Sequence, residues 1–183
     1  RSIDKFELCG IIVENIYSNS KYELSFEITD KNQTYKVKTK TPGAFNSYNI
    51  CASIIAVHNT TGIPVETLCK AVEDFTAVKG RMTVIDKKQN FEVIVDYAHT
   101  PSSFETIFPP IRKRCKGKMI CIFGSGGERD IKKRPLQGKI AAQYCDIVIL
   151  TDEDPRGEDS MELLEMIAKG SREEGKKDNI DLF

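Results

Sequence analysis

The sequence carries no surplus of charge: its 27 Lys+Arg are matched by 27 Asp+Glu, so the formal net charge is zero. That excludes a nucleic-acid binder whose affinity comes from bulk positive charge. Nor is it an acidic disordered tail, because 40% of its 183 residues are hydrophobic. No apolar run approaches the roughly 20 residues that span a bilayer. The stretch Ile147 to Leu150, for example, has only the length of a strand. The six cysteines (Cys9, Cys51, Cys69, Cys115, Cys121 and Cys145) form no CxxC pair. Most fall in apolar stretches, so buried free thiols in a reducing cytosol are expected rather than a disulfide framework. Histidine is scarce, with only His58 and His99. The chain opens on Arg1 rather than Met, and no apolar signal segment follows. A cut start is therefore expected. Internal repeats and low-complexity segments are absent.

What is present reads as two patterns. Residues 5 to 40 alternate with a period of two. Leu24, Phe26 and Ile28 share one face, and Tyr35 and Val37 repeat the pattern. Asp30-Lys31-Asn32-Gln33 reads as a hairpin turn. After Pro42-Gly43 the period changes. Ile50, Ile54 and Val57 have helical spacing, and Thr61-Gly62 ends that helix. Pro64 opens a second helix, with Val65, Leu68, Cys69 and Val72 on one face, running to about Phe75. Lys79-Gly80-Arg81 breaks the pattern, and a domain boundary is placed there.

From residue 81 strands and helices alternate. Strands are expected at Phe91–Val95, Met119–Phe123 and Ile147–Leu150, and another begins at Ile180–Phe183. Helices are expected at Ser102–Cys115, with a kink or restart at Pro109-Pro110, at Pro135–Tyr144, with Leu136, Ile140 and Tyr144 on one face, and at Ser160–Lys169. Lys176 to Asn179 reads as a polar loop. Such alternation implies an α/β fold with a parallel sheet.

In open α/β sheets ligands bind beyond the carboxyl ends of the strands. Three polar loops are expected on that edge: 96–101, 124–130 and 151–156. The glycine-rich loop Gly124-Ser125-Gly126-Gly127-Glu128-Arg129-Asp130 lacks the GK[ST] ending of a P-loop and fails GxGxxG. What remains is a set of backbone N–H groups near a helix start, plus Arg129, which suits a carboxylate or phosphate oxygen. His99 follows a strand and precedes Pro101. It reads either as a polar contact to a ligand or as a helix cap. His58, mid-helix, reads as structural. Asp152, Glu153 and Asp154 have no His or Cys nearby to complete a metal site. With Arg156 they offer both signs of charge, which suits a zwitterion such as an amino acid, or they form a solvated acidic loop.

Five motifs then fall in a recognisable order: Gly80-Arg81-Met82, Val95-Asp96-Tyr97-Ala98-His99-Thr100-Pro101, Phe123 to Asp130, Lys133-Arg134-Pro135 and Asp154-Pro155-Arg156. This order resembles the Mur ligases, and most closely their tripeptide-synthetase branch. Upstream, Pro42 to Asn49 resembles the end of that family's central ATPase domain. The resemblance runs from about 41 to 170 and weakly covers the strands before it.

The resemblance implies a section of a three-domain ligase. Residues 1–79 would be the C-terminal part of the central ATP-binding domain. Residues 80–183 would be a Rossmann-like C-terminal domain, incomplete at its end. Such enzymes use ATP and magnesium to activate a carboxylate as an acyl phosphate, which the amine of an incoming amino acid attacks. By motif position, Asn46 and Asn49 would contact adenine. Arg81 and Asp96 would reach the ribose and phosphates, and His99 would sit near the nucleotide. Arg129 would bind a carboxylate of the incoming diamino acid, with Glu153, Asp154 and Arg156 reading its far end. The implied partners are UDP-N-acetylmuramoyl-dipeptide and that diamino acid.

A monomer in the cytoplasm is expected, without nucleic-acid or membrane partners. The GKT-like loop, the modified lysine that supports magnesium and the UDP-binding domain are expected upstream of Arg1, so this segment alone is expected to be inactive. Members that add meso-diaminopimelate commonly read Asp-Asn-Pro-Arg where this chain reads Glu153-Asp154-Pro155-Arg156. Arg156 favours a distal carboxylate, while Asp154 would tolerate the ammonium of lysine, and the lean is to meso-diaminopimelate. A folylpolyglutamate or cyanophycin synthetase type of ligase, or a non-catalytic nucleotide- or amino-acid-binding module, are the alternatives.

Overall fold

The computed structural model describes residues 5–18, 23–75, 78–174 and 180–182. By internal contacts the chain divides into two units, Arg1–Tyr97 and Ala98–Phe183.

The first unit is built on an antiparallel meander in the order β1-β2-β3-β4: Lys5–Leu8, Ile11–Ser18, Leu24–Asp30 and Gln33–Thr39. The alternation read from sequence is the packing alternation. Leu24, Phe26, Ile28 and Val37 are all buried, joined by Ile11 and Val13 from β2. The β3–β4 turn follows the expected residues. Asp30 pairs with Gln33, and Lys31 and Asn32 take φ of 45° and 75°. Two successive positive φ values match the right-handed twist of the strands they join. The β1–β2 turn does the same with Cys9 and Gly10. Helices α1 (Asn46–Thr61) and α2 (Val65–Glu73) close the core with Ile50, Cys51, Ile54, Val65 and Cys69. Gly62 ends α1 at φ 74°, its N–H donating to the carbonyl of His58. The ring Nδ1 of His58 lies 2.7 Å from the carbonyl oxygen of Ile63, a structural role as expected.

Further along this unit the strand expected at Phe91–Val95 shrinks to β6 (Ile94–Val95), paired antiparallel with β5 (Thr83–Val84). The partner strand offers only two residues. The segment between them closes as a turn, in which Asp86 accepts from the Lys88 N–H and Gln89 donates to the Ile85 carbonyl. The Ile85 N–H still donates to the Val93 carbonyl at 2.9 Å, but Gln89 takes the Ile85 carbonyl and the Lys87 N–H, groups that a longer ladder would use.

The second unit is a parallel sheet in the order β7-β8-β9, namely Ile120–Phe123, Ile147–Leu150 and Ile180–Leu182. It carries α3 (Pro101–Arg114), α4 (Lys133–Tyr144) and α5 (Ser160–Glu173). Its core includes Phe104, Ile107, Phe108, Val148, Leu150, Leu163, Leu164 and Ile167. Thr100 caps α3 in a capping box with Ser103. No restart occurs at Pro109-Pro110, and the helix is continuous from Pro101 to Arg114. The carbonyls that lose their N–H partners belong to Glu105 and Thr106, both exposed, so water can satisfy them.

The expected apolar face of α4 is corrected. Leu136 is half exposed, and the buried face is Arg134, Gln137, Gly138, Ala141 and Ala142 with Ile140. The reason is the close approach of α5. A Cβ on Gly138 would stand 2.0 Å from the Ile167 carbonyl oxygen, and one on Gly170 would stand 1.8 Å from that of Pro135. Small residues, rather than large apolar ones, line such a contact. Asp146 ties α3 to the sheet start, accepting from Arg112 at 2.6 Å and from the Met119 N–H at 2.8 Å. The polar loop expected at 176–179 and the side chains expected for the strand at 180–183 lie outside the described residues. Among the described residues no helix is long and apolar enough to cross a membrane.

The six cysteines are free. Cys51, Cys69 and Cys145 are buried and Cys115 and Cys121 partly so. Cys9 departs from the expectation of burial because it sits exposed in the tight β1–β2 turn.

Candidate functional site

Parallel strands end on the same edge, so the loops after β7 and β8 emerge side by side. The first runs from Gly124 to Asp130, and the second from Thr151 to Asp159. They pack backbone against backbone. The Gly127 N–H donates to the Asp154 carbonyl at 2.8 Å, and the Thr151 N–H donates to the Phe123 carbonyl at 3.1 Å. This closeness requires glycine. A Cβ on Gly124 would stand 2.2 Å from the Thr151 carbonyl oxygen, and one on Gly127 would stand 1.9 Å from that of Pro155.

Arg129, Glu153, Asp154 and Arg156 are thereby gathered on the two adjoining loops. All four are exposed. The Arg129 guanidinium makes no hydrogen bond or ion pair among the described residues. Arg156 Nε lies 3.3 Å from Asp154 Oδ2, both side chains open to water. Such a pair is held by little. An incoming ligand with a carboxylate and an ammonium group can exchange into it at small cost.

The backbone N–H groups of the glycine-rich loop do not form the expected anion cradle at two of its positions. That of Gly127 is taken by Asp154, and that of Glu128 by a Glu158 carboxylate oxygen. Arg129 remains exposed on this loop.

Beneath the loops lies an ion pair that the sequence does not announce: Arg134 falls in the motif Lys133-Arg134-Pro135, but no role or partner is assigned to it there. Arg134, on the first turn of α4, is fully buried. Its two terminal nitrogens donate to the two Glu158 carboxylate oxygens at 2.7 and 2.9 Å. The Arg134 hydrogen bonds, the Glu128 N–H and the positive charge of Arg134 hold the Glu158 carboxyl down at about 2. Nothing in the periodicity of α4 distinguishes an inward arginine from a solvated one. Only the tertiary packing does.

The other residues suggested for the nucleotide are placed as follows. Asn46 and Asn49 are brought together on the first turn of α1. Asn46 is buried, its amide donating to the Pro42 carbonyl at 2.6 Å and its oxygen accepting from Asn49 at 3.0 Å. Asn46 thus orients Asn49, which is exposed. Arg81 lies over the Tyr97 ring, 4.7 Å from its centroid. Asp96 accepts from the Met82 N–H at 2.7 Å. His99 is exposed, and its carbonyl accepts from Lys133 at 3.3 Å, which places it beside the start of α4. Among the described residues no group of three or more His, Cys, Asp or Glu converges as a metal site.

These features define a class: a parallel α/β domain with polar loops on the carboxyl edge of its sheet, preceded by an antiparallel sheet and two helices. The family model described as "Mur ligase, glutamate ligase domain" matches residues 80–181, more than half the chain. The chain belongs to the Mur ligase family. It is 52% identical over 182 residues to the UDP-N-acetylmuramyl-tripeptide synthetase of Treponema denticola, covering 97% of this chain and 34% of that protein. It is 37% identical over 164 residues to the UDP-N-acetylmuramoyl-L-alanyl-D-glutamate--2,6-diaminopimelate ligase of Clostridium botulinum, covering 88% and 34%. Its fold is also that of the Mycobacterium tuberculosis folylpolyglutamate synthase complexed with ADP. There the TM-score is 0.75 at 14% identity, over 96% of this chain and 38% of that one. The chain spans about a third of the length of the curated relatives it matches.

Proposed function

We propose that this chain is a segment of an ATP-dependent acid–amino-acid ligase. The full enzyme would add a diamino acid to UDP-N-acetylmuramoyl-L-alanyl-D-glutamate in peptidoglycan synthesis. Residues 1–79 would close the central ATP-binding domain, and residues 80–183 would begin the C-terminal domain that binds the amino acid. The observation that carries this reading is the gathering of Arg129, Asp154 and Arg156 on two locked loops. There, two cations and a carboxylate face solvent with weak or no partners.

In the reaction, a substrate carboxylate is activated as an acyl phosphate at the expense of ATP. The free amine of the diamino acid then attacks the acyl carbon, an amide C–N bond forms, the C–O bond to phosphate breaks and the amine loses a proton. The products are the amide, ADP and phosphate. This chain's part is binding and orientation. Arg129 would hold a carboxylate of the diamino acid by a bidentate contact, to which a planar guanidinium is suited. Arg156 and Asp154 would separate to take its far end. A distal carboxylate pairs with Arg156 and a distal ammonium with Asp154, so meso-diaminopimelate satisfies both groups and L-lysine only one. The preferred substrate is meso-diaminopimelate.

On the nucleotide side, the exposed amide of Asn49 fits a hydrogen-bonding contact to adenine. The Arg81 guanidinium, kept in place by Tyr97, fits a phosphate. Asp96 and His99 complete the proposed set. Magnesium, which the family resemblance implies, is assigned no ligand in this chain. The protein is proposed to work as a monomer in the cytoplasm.

The test is phosphate release by the full-length enzyme with UDP-N-acetylmuramoyl-L-alanyl-D-glutamate and ATP. Release is expected to depend on meso-diaminopimelate and to be weaker with L-lysine. Equal rates with neither amino acid added would overturn the ligase reading, and a preference for lysine would overturn the substrate choice. The 183-residue segment alone is expected to release none.

A further inference from the structure

A buried arginine bound to a carboxylate is a costly device. Arg134 gives up its water entirely and Glu158 part of its own, and a well-packed apolar pair in place of a buried ion pair is often as stable or more so. Such a pair serves best where it fixes a geometry. Arg134 and Glu158 are placed to do that. Arg134 sits under the first loop, with Nη2 3.4 Å from the Gly126 carbonyl oxygen. Its Nη1 also lies 3.3 Å from the sulfur of Met166 on α5. Glu158 belongs to the second loop, yet it accepts the N–H of Glu128 from the first. Glu128 is held at φ 53° and Arg156 at the same value, so the first loop takes a left-handed turn next to Arg129 and the second takes one at Arg156 itself. The chain of contacts is continuous. It runs from α4 through Arg134 to Glu158, from Glu158 to Glu128, and from Gly127 back to Asp154.

We propose that Arg134 and Glu158 are positioning residues. Their fork-to-carboxylate pair clasps the two loops together and sets the separation between Arg129 on one and Asp154 and Arg156 on the other. That separation would measure the length of the diamino acid. Arg134, fully buried, touches no ligand and acts only through the loops. This inference rests on the ligase reading for its substrate, but the clasp itself can be read without it.

Two conservative variants of the full-length enzyme test it. Glu158→Asp keeps the charge and shortens the reach. Arg134→Lys keeps the charge and removes the fork. In each, KM for meso-diaminopimelate is expected to rise about tenfold, with kcat and KM for ATP within about twofold of the parent. A merely structural role would lower the active fraction, and so kcat, with KM unchanged. That pattern, or an unchanged KM in folded variants, overturns the proposal. Hydrogen exchange supplies the second measurement. In the parent enzyme the Gly127 and Glu128 amides are expected to exchange slowly, although Glu128 is exposed, and in Glu158→Asp the Glu128 amide is expected to lose that protection. Fast exchange at both amides in the parent overturns the clasp, even if neither variant folds. If the parent releases no phosphate with any diamino acid, the ligase reading fails. The exchange result alone then decides the clasp.

Discussion

At the scale of the residue, environment decides chemistry that side-chain type leaves open. The Cys51 thiol is pushed up to about 11 by burial and by its Cys69 neighbour, and that of Cys69 to about 11 by burial and by Glu66. At pH 8 only about one thiol in a thousand would be ionised at such a value. Iodoacetamide is therefore expected to label the exposed Cys9 first and to spare Cys51 and Cys69 in the folded protein, as mass spectrometry of the labelled peptides would show. Glu158 is the opposite case. Its folded value of about 2 lies below the usual 4.5, so its contribution to stability is complete above pH 4.5 and is lost as pH falls toward 2. Glu158→Gln should flatten that acid limb in urea melts taken at successive pH values. For binding, Arg129→Ala is expected to raise KM for the diamino acid by about 10- to 100-fold in the full-length enzyme and leave KM for ATP unchanged. An equal rise in both would argue against its placement on the amino acid.

At the scale of the element, most helices and strands were legible because the period of their apolar residues survives in the packing. Leu24, Phe26 and Ile28 alternate and are buried. Phe104, Ile107 and Phe108 follow a helical stripe and are buried, prolines notwithstanding. Two elements differ from the expectation, each for its own reason. On α4, Leu136 stands half exposed, and the face turned to the core is lined by small and polar residues where α5 comes close. The fit rests on Gly138 and Gly170, which carry no hydrophobic signal. The strand expected at 91–95 is shorter because the Gln89 side chain takes the next backbone groups of its partner segment. Replacing Gly170 by Ala should destabilise the second unit by about 1–3 kcal/mol, since the added methyl meets backbone that cannot step aside. The midpoint of urea unfolding, followed by circular dichroism, measures it.

At the scale of the whole molecule, each unit has a core of its own. One is closed by α1 and α2 on an antiparallel meander, the other by three helices on a parallel sheet. Units with separate cores are expected to lose protection separately. Hydrogen exchange in rising urea should therefore show peptides of β3 and of α4 opening at different denaturant concentrations. A single shared midpoint would mean that the units unfold as one. The candidate site was about half legible. The residues facing solvent, Arg129, Asp154 and Arg156, announce themselves as polar groups clustered after strands. The pair that holds their loops does not, because an arginine inside and an arginine outside are written with the same letter.

The sequence by itself determined most of the elements, the alternation that makes the second unit parallel, and hence that the loops after β7 and β8 share one edge. These follow from local propensity and from the period of apolar residues. The tertiary structure alone decided how near those loops lie, and which of their N–H groups are already spent. It also decided that Arg134 turns inward to Glu158. Those outcomes depend on contacts between segments 24 to 30 residues apart in the chain. No local pattern encodes them, because the energy that selects them appears only once α4, α5 and both loops are packed together.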